Sequence, residues 1–498
     1  MLNVVTNELM RRLDRHMMDD VGIPGIVLME NAARRCAEAA VNCGKSGSVA
    51  VLIGPGNNGG DGFAVLRILK TLGREAFGVL VSDPEKLTGD ALTNYIAAKN
   101  LDLTMTDDLT SIGTASVIVD ALFGTGLCRE LSGRFLEAIK LANAADAYRI
   151  AIDIPSGING DTGEVMGGCF AADETVTMLA LKRGLLLTNR LESVGRITVA
   201  PIGLVRDEYA GLLQNEQLID EAFVREMLPK RRRVSNKGSY GKALITAGSP
   251  NMSGAAVMAA SAALRGGAGL TKAFVPESII PAFACLPEVM VLGDKGNSLS
   301  DAVDWADAVG CGCGMGNDPR IREKVETVLK CGKPAVLDAD ALNLMSREHD
   351  LLKQLCANHI LTPHPAEMAR LTGKQTSEVL SDPVDTASSF ARKHGCIVLL
   401  KNAVSVIASP DGRLRYNATG SPALSKGGSG DTLTGIITAL LAQGLGAFDA
   451  ASCGAYLLGV SAQKAVELLN ERFVCASDLT QALSMLLDTD LKNGESDD

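Results

Sequence analysis

The chain has few aromatic residues, no uninterrupted apolar stretch long enough to cross a membrane, and no Cys-x-x-Cys pair. Aromatic residues make up 4% of its 498 residues, with a single Trp. The N-terminal segment "MLNVVTNELMRRLDRHMMDD" is charged throughout and lacks the apolar core of a signal peptide. Twelve scattered cysteines, most of them in apolar surroundings, then predict reduced thiols in a cytoplasmic protein with no membrane partner.

An excess of positive charge and a set of metal-ligating cysteines are missing as well. The formal net charge is −10, so nucleic acid is not expected as the main partner. Cys311 and Cys313 in "GCGCGMG" have no further ligands nearby in the sequence, so zinc is not expected. These absences leave a protein that acts on small molecules as the working hypothesis.

Glycine, by contrast, is abundant, with 52 residues in a chain that is 46% hydrophobic. Together with the low aromatic content, this composition is typical of proteins with parallel α/β sheets. A chain of this length is too long for one compact core, so two domains are expected. The prediction is therefore two α/β domains, each with its own sheet.

Strand-like apolar runs alternate with helical segments in both halves of the chain, which predicts two doubly wound parallel sheets. In the first half the runs are 48–54, 76–82, 116–124 and 149–155. In the second half they are 242–248, 270–276, 306–312, 334–340, 359–365 and 396–402, followed by helical stretches from about 430 to 488. We expect one domain over 1–217, a linker over 218–236 that contains most of a basic run, and a second domain over 237–498.

The first half carries a glycine-rich turn, "GPGNNGGDGF" at 54–63, between a strand and a helix. Glycines let backbone N–H groups approach an anion closely, and the helix N-terminus favours negative charge. The turn lacks the Lys-Ser/Thr ending of a Walker loop and the spacing of G-x-G-x-x-G. A phosphate cradle and an ordinary tight turn are both open at this point.

Acids and hydroxyls follow the next strands of the first half. Asp120 ends "VIVD", and Asp153 and Ser156 lie in "AIDIPSG". Ligands of open α/β sheets bind beyond the carboxyl ends of the strands, so these side chains are expected at one crevice. Asn58, Asp120 and Ser156 are hard oxygen donors that suit a cation with oxygen ligands, and the spacing does not say which cation.

The motifs "GPGNNGGDG", "VDALFGTG" and "AIDIPSGINGDTG" together resemble the epimerase domain that interconverts the two C6 hydrates of NAD(P)H, termed NAD(P)HX. The resemblance implies a Rossmann-like domain, a potassium ion bound by Asn58, Asp120 and Ser156, and Asp120 and Asp153 as catalytic acid and base candidates. It also implies substrate contacts from Asn57, Asn58, Gly59, Gly60, Asp61, Gly124, Thr125, Gly126, Leu127, Cys128, Arg129, Glu130 and Asp153.

The second half carries "SKGGSGDTLTG" at 425–435. The glycines leave N–H groups free for an oxyanion, and Asp431 at the start of a helix could take a proton from a hydroxyl group. Charge complementing the helix dipole is the alternative role of Asp431. Further strand-end candidates are Asp338 and Asp340 in "VLDADALN" and His364 between two prolines.

In order along about 260 residues, "KGSYGKALITAGS", "GCGMG", "LDADALN", "TPHPAEMARLTG" and "TGSPALSKGGSGDTLTG" resemble the ADP/ATP-dependent NAD(P)HX dehydratases of the ribokinase-like superfamily. The resemblance implies that Asp431 is the catalytic base and that Ala255, Gly316, His364 and Asp431 contact the hydrated substrate. It also implies a nucleotide site formed by Lys401, Asn402, Ala403, Val404, Ser405, Gly427, Gly428, Ser429 and Gly430.

Both resemblances together imply a bifunctional lyase and isomerase that repairs NADHX and NADPHX. ADP would be the co-substrate, yielding AMP and phosphate, with Mg²⁺ on its phosphates and K⁺ in the epimerase domain. A homo-oligomer, tetrameric or larger, is expected. Two alternatives remain: a kinase of a vitamin precursor or sugar alcohol that uses the same Asp431, and a first half that only binds nucleotides or proteins.

Overall fold

The computed structural model describes residues 1–188, 191–203, 215–316 and 319–486. The chain forms two compact units, one of residues 2–214 and one of residues 215–498 together with Met1. None of the helices in the described part of the chain is long and apolar enough to span a bilayer.

The N-terminal unit is built on a parallel sheet whose strand order changes direction in the middle. From one edge to the other, its strands are Met105–Thr106, Ala76–Leu80, Val49–Ile53, Val117–Ala121, Tyr148–Ile152, Glu174–Met178 and Arg196–Ala200. Chain order reverses between Val49–Ile53 and Val117–Ala121, so this is the switch point at which open α/β sheets bind ligands. A short parallel pair, Leu2–Val5 with Leu181–Lys182, lies in the same unit.

Helices cover both faces of this sheet. They are Asn7–Arg15, Gly25–Asn42, Asn57–Thr71, Gly89–Asn100, Gly133–Ala144 and Arg183–Leu187, with a π-helical turn at His16–Asp20. Along the strand Val49–Ile53, Val49, Val51 and Ile53 belong to the core on one face, and Ala50 and Leu52 to the core on the other. Because both faces are buried, the strand is continuously apolar rather than alternating.

The C-terminal unit repeats this plan and extends it with an antiparallel part. From one edge, its strands are Met290–Gly293, Leu270–Val275, Lys242–Thr246, Ala308–Cys311, Ala335–Leu337, His359–Leu361, Ile397–Leu400, Ser405–Ala408, Leu414–Asn417 and Glu216–Leu218. The first seven are parallel, and the next two pair antiparallel. The switch point lies between Lys242–Thr246 and Ala308–Cys311.

The helices of the C-terminal unit bury one long apolar helix among them. They are Glu221–Met227, Ser253–Arg265, Leu299–Trp305, Ile321–Lys330, Asp340–Met345, Pro365–Thr372, Thr376–Ser381, Pro383–His394, Ser429–Ala442, Ala447–Leu469 and Ala476–Leu486. Twelve of the fourteen residues of Ser429–Ala442 are buried. Close packing requires small residues there, since a Cβ on Gly435 would collide with the carbonyl of Ala259. The N-terminus of Ser429–Ala442 is thereby fixed against the sheet.

The prediction of two doubly wound α/β units is confirmed, and all ten predicted strands are present. Strands that were not predicted are Glu174–Met178 and Arg196–Ala200 in the N-terminal sheet, the short strands Leu2–Val5, Met105–Thr106 and Leu181–Lys182, and, in the C-terminal unit, Glu216–Leu218, Met290–Gly293, Ser405–Ala408 and Leu414–Asn417. The segment 218–236, expected as a linker, differs from that expectation. It carries the helix Glu221–Met227, whose Phe223 and Val224 are buried in the C-terminal core, because this helix covers apolar surface there.

Candidate active sites

The N-terminal candidate site lies where the loops after Val49–Ile53 and Val117–Ala121 approach each other. A Cβ on Gly54 would collide with the backbone of Leu122, so the two loops touch only because residue 54 is glycine. Gly56, with φ of 82°, then starts the helix Asn57–Thr71. The helix N-terminus therefore opens at the switch point, as an anion site requires.

Asp120 and Ser156 are joined by hydrogen bonds at the base of this site. Ser156 Oγ donates to Oδ1 of Asp120 at 2.7 Å, and the Ser156 N–H donates to Oδ2 at 2.7 Å. The Phe123 N–H donates to Ser156 Oγ at 2.9 Å, and the Phe123 carbonyl oxygen lies 3.2 Å from the same Oγ. Burial raises the pKa of Asp120 to about 6, against these hydrogen bonds, which lower it.

One polar side chain of this site lacks a hydrogen-bond partner. The side-chain nitrogen of Asn58 is buried without a hydrogen-bond partner among the described residues. Rotation of the amide would put its oxygen at that place instead. Asn58, Asp120, Ser156 and the Phe123 carbonyl offer oxygen atoms of the type that a hard cation takes as ligands.

Asp153 faces the same cradle from the strand Tyr148–Ile152. Its backbone φ of 69° is rare for a residue other than glycine, and such strain concentrates at functional sites. A Cβ placed on Gly124 would lie 3.4 Å from Oδ2 of Asp153 and 3.4 Å from Oδ1 of Asn58. Gly124 therefore separates the two side chains and keeps the space between them open.

The other predicted substrate contacts of this unit differ in their exposure to solvent. Asn57, Gly126, Cys128, Arg129 and Glu130 are exposed, and Thr125 is half-buried. Gly59 and Gly60 are buried, since a Cβ on either would collide with Gly54 or Ala91, so packing explains these glycines. Leu127 belongs to the core and offers only its backbone to a ligand. Burial raises the pKa of Asp61 well above its ordinary value, and the charge of Asp153 adds to the rise.

The C-terminal candidate site lies at the start of the helix Ser429–Ala442. Gly428 precedes it with φ of 100°, and a Cβ there would collide with Met258 and Ala476. Asp431 lies in the first turn of the helix. Burial raises the pKa of Asp431 to about 6, the neighbouring Cys313 thiol lowers it, and the charge of Asp338 adds to the rise. A carboxyl group with such a pKa accepts a proton at neutral pH.

A partly buried ion pair of Lys401 and Asp338 lies beside the start of the helix that carries Asp431. Lys401 Nζ lies 2.9 Å from Oδ1 of Asp338, and Thr434 donates to Oδ2 at 3.0 Å. A Cβ on Gly430 would lie 3.4 Å from Oδ2 of Asp338 and 3.5 Å from Lys401 Nζ. Burial alone would lower the pKa of Lys401, but Asp338 and Glu367 outweigh it and raise the pKa. The cation is therefore held directly beside the glycine loop.

The rest of the predicted nucleotide site surrounds this pair. Residues 402–404 form the turn between the antiparallel strands Ile397–Leu400 and Ser405–Ala408. Asn402 and Ala403 are exposed there and Val404 is buried. Gly427 is exposed and Ser429 is buried. The exposed backbone of both loops is thus available to a nucleotide next to Lys401.

His364 caps the helix Pro365–Thr372. Its Nδ1 accepts the N–H groups of Ala366 at 3.1 Å and Glu367 at 3.4 Å, so the proton of the neutral ring sits on Nε2. Burial lowers the pKa of His364, which keeps the ring neutral at pH 7, and Glu367 acts against this shift. The side chain is 48% exposed, so the ring can also meet a ligand, and its Nε2 lies 3.5 Å from Oε1 of Glu367.

Gly316 lines a cavity of about 650 Å³, and Ala255 lies beside Gly314 of the same loop rather than in the cavity wall. Ala255 lies in the first turn of Ser253–Arg265, and a Cβ on Gly314 would collide with it. The N–H of Gly316 donates to Oδ2 of Asp340 at 2.7 Å, which fixes this loop. The cavity has the size of a small-molecule site and lies at the carboxyl ends of the strands.

Comparison with known proteins assigns both units. The profile described as "NAD(P)H-hydrate dehydratase" matches residues 243–486, and that of "YjeF-related protein N-terminus" matches residues 25–184. The chain is 37% identical to the bifunctional NAD(P)H-hydrate repair enzyme Nnr of Moorella thermoacetica, over 97% of this chain and 96% of that one. It is 33% identical to the Escherichia coli enzyme of the same name, over 98% and 94%.

The chain belongs to the family of bifunctional NAD(P)H-hydrate repair enzymes. Its N-terminal unit carries the epimerase domain of this family and its C-terminal unit the dehydratase domain. A crystal structure of a ribokinase-like superfamily protein from Enterococcus faecalis is similar to the C-terminal part. That protein is 25% identical, with a TM-score of 0.50, over 55% of this chain and 96% of that one. The predicted family and the predicted ribokinase-like fold are confirmed.

Within this family member, the sequence prediction missed a buried lysine. Lys182 lies 2.5 Å from Oδ1 of Asp153 and is fully buried. Asp14 lies close to the same pair, and burial raises its pKa to about 6 although Lys182 lowers it. A charged residue inside the apolar run "TMLALKRG" is the one signal that points to Lys182, because such a position needs a partner.

Proposed function

We propose that this chain restores hydrated NADH and NADPH with two activities. Its N-terminal unit interconverts the R and S epimers of NAD(P)HX. Its C-terminal unit dehydrates the S epimer and converts ADP into AMP and phosphate. The observation that carries this proposal is Asp431, a base with a raised pKa of about 6 at the start of a buried helix, beside the Lys401–Asp338 pair.

In the proposed dehydration, Asp431 accepts the proton of the C6 hydroxyl group. The hydroxyl oxygen of the substrate attacks the β-phosphorus of ADP in the same step. The bond from that phosphorus to the bridging oxygen breaks, and AMP leaves. Phosphate then departs with the electron pair of the C6–O bond and a ring proton is lost, which restores the double bond. Hydroxide is a poor leaving group and phosphate a better one, so the nucleotide removes the difficulty of the reaction.

The nucleotide is proposed to lie against Lys401–Ser405 and Gly427–Gly430. Lys401 and the first N–H groups of the helix Ser429–Ala442 would stabilise charge that develops on the transferred phosphoryl group. A bound Mg²⁺ would neutralise charge on the phosphates. Carboxylates suit this ion, and those of Asp338 and Glu367 lie at this end of the sheet.

In the proposed epimerisation, the substrate occupies the cradle between Asn58, Gly124 and Asp153. Asp153 has one carboxylate oxygen directed to this space and serves as the base. Asp120 is bound by three protein donors, so it serves the site through Ser156 and the cation rather than by direct proton transfer. Potassium would be held by Asn58, Asp120 and Ser156 and would attract a negatively charged group of the substrate.

Replacing K⁺ by tetramethylammonium at constant ionic strength is expected to slow the epimerase and to leave dehydration of the pure S epimer within about threefold. The reason is that the oxygen set of Asn58, Asp120 and Ser156 lies in the N-terminal unit. Initial rates of both reactions at several K⁺ concentrations measure this. An epimerase rate that is independent of K⁺ would contradict the potassium assignment.

The dehydratase is expected to lose activity as the pH falls through about 6. Asp431 has a pKa raised to about 6 by burial, and only its ionised form is a base. Below this value kcat/KM for the S epimer should fall about tenfold per pH unit, and above it the rate should level off. A kcat/KM profile that stays flat down to pH 5 would show that another group takes the proton.

Product analysis separates repair from the alternative of a small-molecule kinase. With the S epimer and ADP, ³¹P NMR is expected to give AMP, inorganic phosphate and reduced dinucleotide in equal amounts. A kinase would instead leave a stable phosphate ester, because nothing would drive phosphate from a saturated carbon. Accumulation of such an ester would contradict the proposed function.

We also propose action in the cytoplasm and assembly into a homo-oligomer, a tetramer or larger. All twelve cysteines are unpaired, as expected in a reducing compartment. Leu468, Leu469 and Phe473 are exposed near the end of the helix Ala447–Leu469 and give an apolar surface for a second copy. Light scattering at several protein concentrations tests the assembly, and a monomer at all of them would contradict it.

A further inference from the structure

Lys182 is a fully buried lysine at the edge of the epimerase cradle. It belongs to the two-residue strand Leu181–Lys182, which pairs with Leu2–Val5. Its Nζ lies 2.5 Å from Oδ1 of Asp153 and donates to the Met178 carbonyl at 2.7 Å. An ammonium group is kept out of water only where partners of this kind are present, so the pair is a built feature of the site.

The contacts of Asp153 divide its two oxygens between different roles. Besides Lys182, Oδ1 lies 3.3 Å from the Met178 N–H and 3.4 Å from Thr177 Oγ1. Oδ2 faces the space beside Gly124. The carboxylate is thus held by one oxygen and presents the other to the cradle, at a residue with the strained φ of 69°.

Other ionisable groups lie near this pair. They are Asp14 on the helix Asn7–Arg15, Asp61 on the helix Asn57–Thr71 and the Cys36 thiol on the helix Gly25–Asn42, which also lies near Glu174. Burial raises the pKa of Asp14 and of Asp61, and the charge of Asp153 raises both further. The positive charge of Lys182 acts in the opposite direction and lowers the pKa of Asp14.

We propose that Lys182 is a positioning residue of the epimerase, which anchors Oδ1 of Asp153 as a carboxylate and directs Oδ2 at the substrate. This inference rests on the role proposed above for Asp153. Lys182 touches no substrate itself. Its short contact with Oδ1 holds the carboxylate in the orientation that turns Oδ2 to the cradle.

The test is Lys182→Met in the full chain, assayed for both activities. Epimerase kcat/KM at pH 7 is expected to fall at least about tenfold, because the base is misdirected. The pH at which the rate is half-maximal is expected to rise by about one unit or more, since an opposite charge has been removed. Dehydration of the pure S epimer is expected to stay within about threefold. Lys140→Met, the same change at an exposed position, should alter neither activity.

The pH profile separates positioning from folding, because a smaller folded fraction lowers the rate without moving the profile. The proposal is overturned if the epimerase kcat/KM of Lys182→Met stays within about threefold of that of the unmodified chain. It is also overturned if kcat/KM falls but the pH of half-maximal rate does not change. If Lys182→Met lacks a thermal transition for the N-terminal unit, Lys182→Gln is used, and loss of that transition in both variants assigns Lys182 a structural role instead. Asp153→Asn is assayed in parallel. Full epimerase activity in that variant contradicts the proposed role of Asp153, whereas an inactive Asp153→Asn beside an active Lys182→Met contradicts only the role of Lys182.

Discussion

Replacing Asp431 by Asn is expected to lower kcat for dehydration of the S epimer by about 10² to 10⁴-fold, the usual contribution of a general base. The amide has the shape of the carboxyl group but accepts no proton at neutral pH. The Lys401–Asp338 pair and the glycine loop remain in place, so ADP should still bind. Stopped assays of AMP formation and calorimetry of ADP binding measure the two quantities.

The alternative role of Asp431, complementing the helix dipole, predicts a different result. It would contribute about 0.3–1 kcal/mol to stability and nothing specific to turnover. Asp385 provides the matched control, since it is exposed in the first turn of the helix Pro383–His394. Asp385→Asn should leave turnover unchanged. Turnover by Asp431→Asn within about threefold of the unmodified chain would show that Asp431 is not the base.

Replacing Asp153 by Asn is expected to slow epimerisation by about 10² to 10⁴-fold and to leave the dehydratase intact. Oδ2 of Asp153 is the carboxylate oxygen that faces the cradle beside Gly124, and an amide at that place accepts no proton. With a mixture of epimers, ADP and Mg²⁺, conversion should therefore stop when the S epimer is consumed. Chromatography of the remaining epimer gives the rate directly.

Asp173 provides the control for Asp153. It is a hydrogen-bonded carboxylate in the same unit, but it precedes the strand Glu174–Met178, so it lies at the amino end of the sheet. Asp173→Asn should keep the epimerase rate within about threefold, provided that the thermal transition of the unit is retained. Continued fast consumption of the R epimer by Asp153→Asn would exclude Asp153 as the base and leave Asp120 as the remaining candidate.

The sheets could be predicted from the sequence where their strands are continuous apolar runs; the buried strand Glu174–Met178 was missed because Glu174, Thr175 and Thr177 interrupt its apolar pattern. Runs such as "SVAVLIG" are apolar throughout because both faces of Val49–Ile53 meet a core, and such runs stand out. Edge strands such as Met290–Gly293 and the hairpin strand Leu414–Asn417 were missed. They are only four residues long, and the latter carries the polar residues Arg415 and Asn417, which are buried through specific partners.

The candidate sites could be predicted where chemistry follows a strand directly in the sequence. Asp120, Asp153 and Asp431 could be named as candidates because acids next to glycine-rich turns are visible in the chain. Lys182 was missed because its role depends on a contact with Asp153. Asp153 is 29 positions away in the sequence and lies at the end of another strand. The capping role of His364 also needed the structure, since it rests on the direction of one ring nitrogen.

The most direct test of the account is the complete conversion of an epimer mixture by the full chain. The protein is incubated with R and S NADHX, ADP, Mg²⁺ and K⁺, and the absorbance of the reduced nicotinamide is followed. The account predicts that all of the hydrate returns to NADH, with one AMP and one phosphate formed for each. An absorbance that does not rise at all would contradict the repair function.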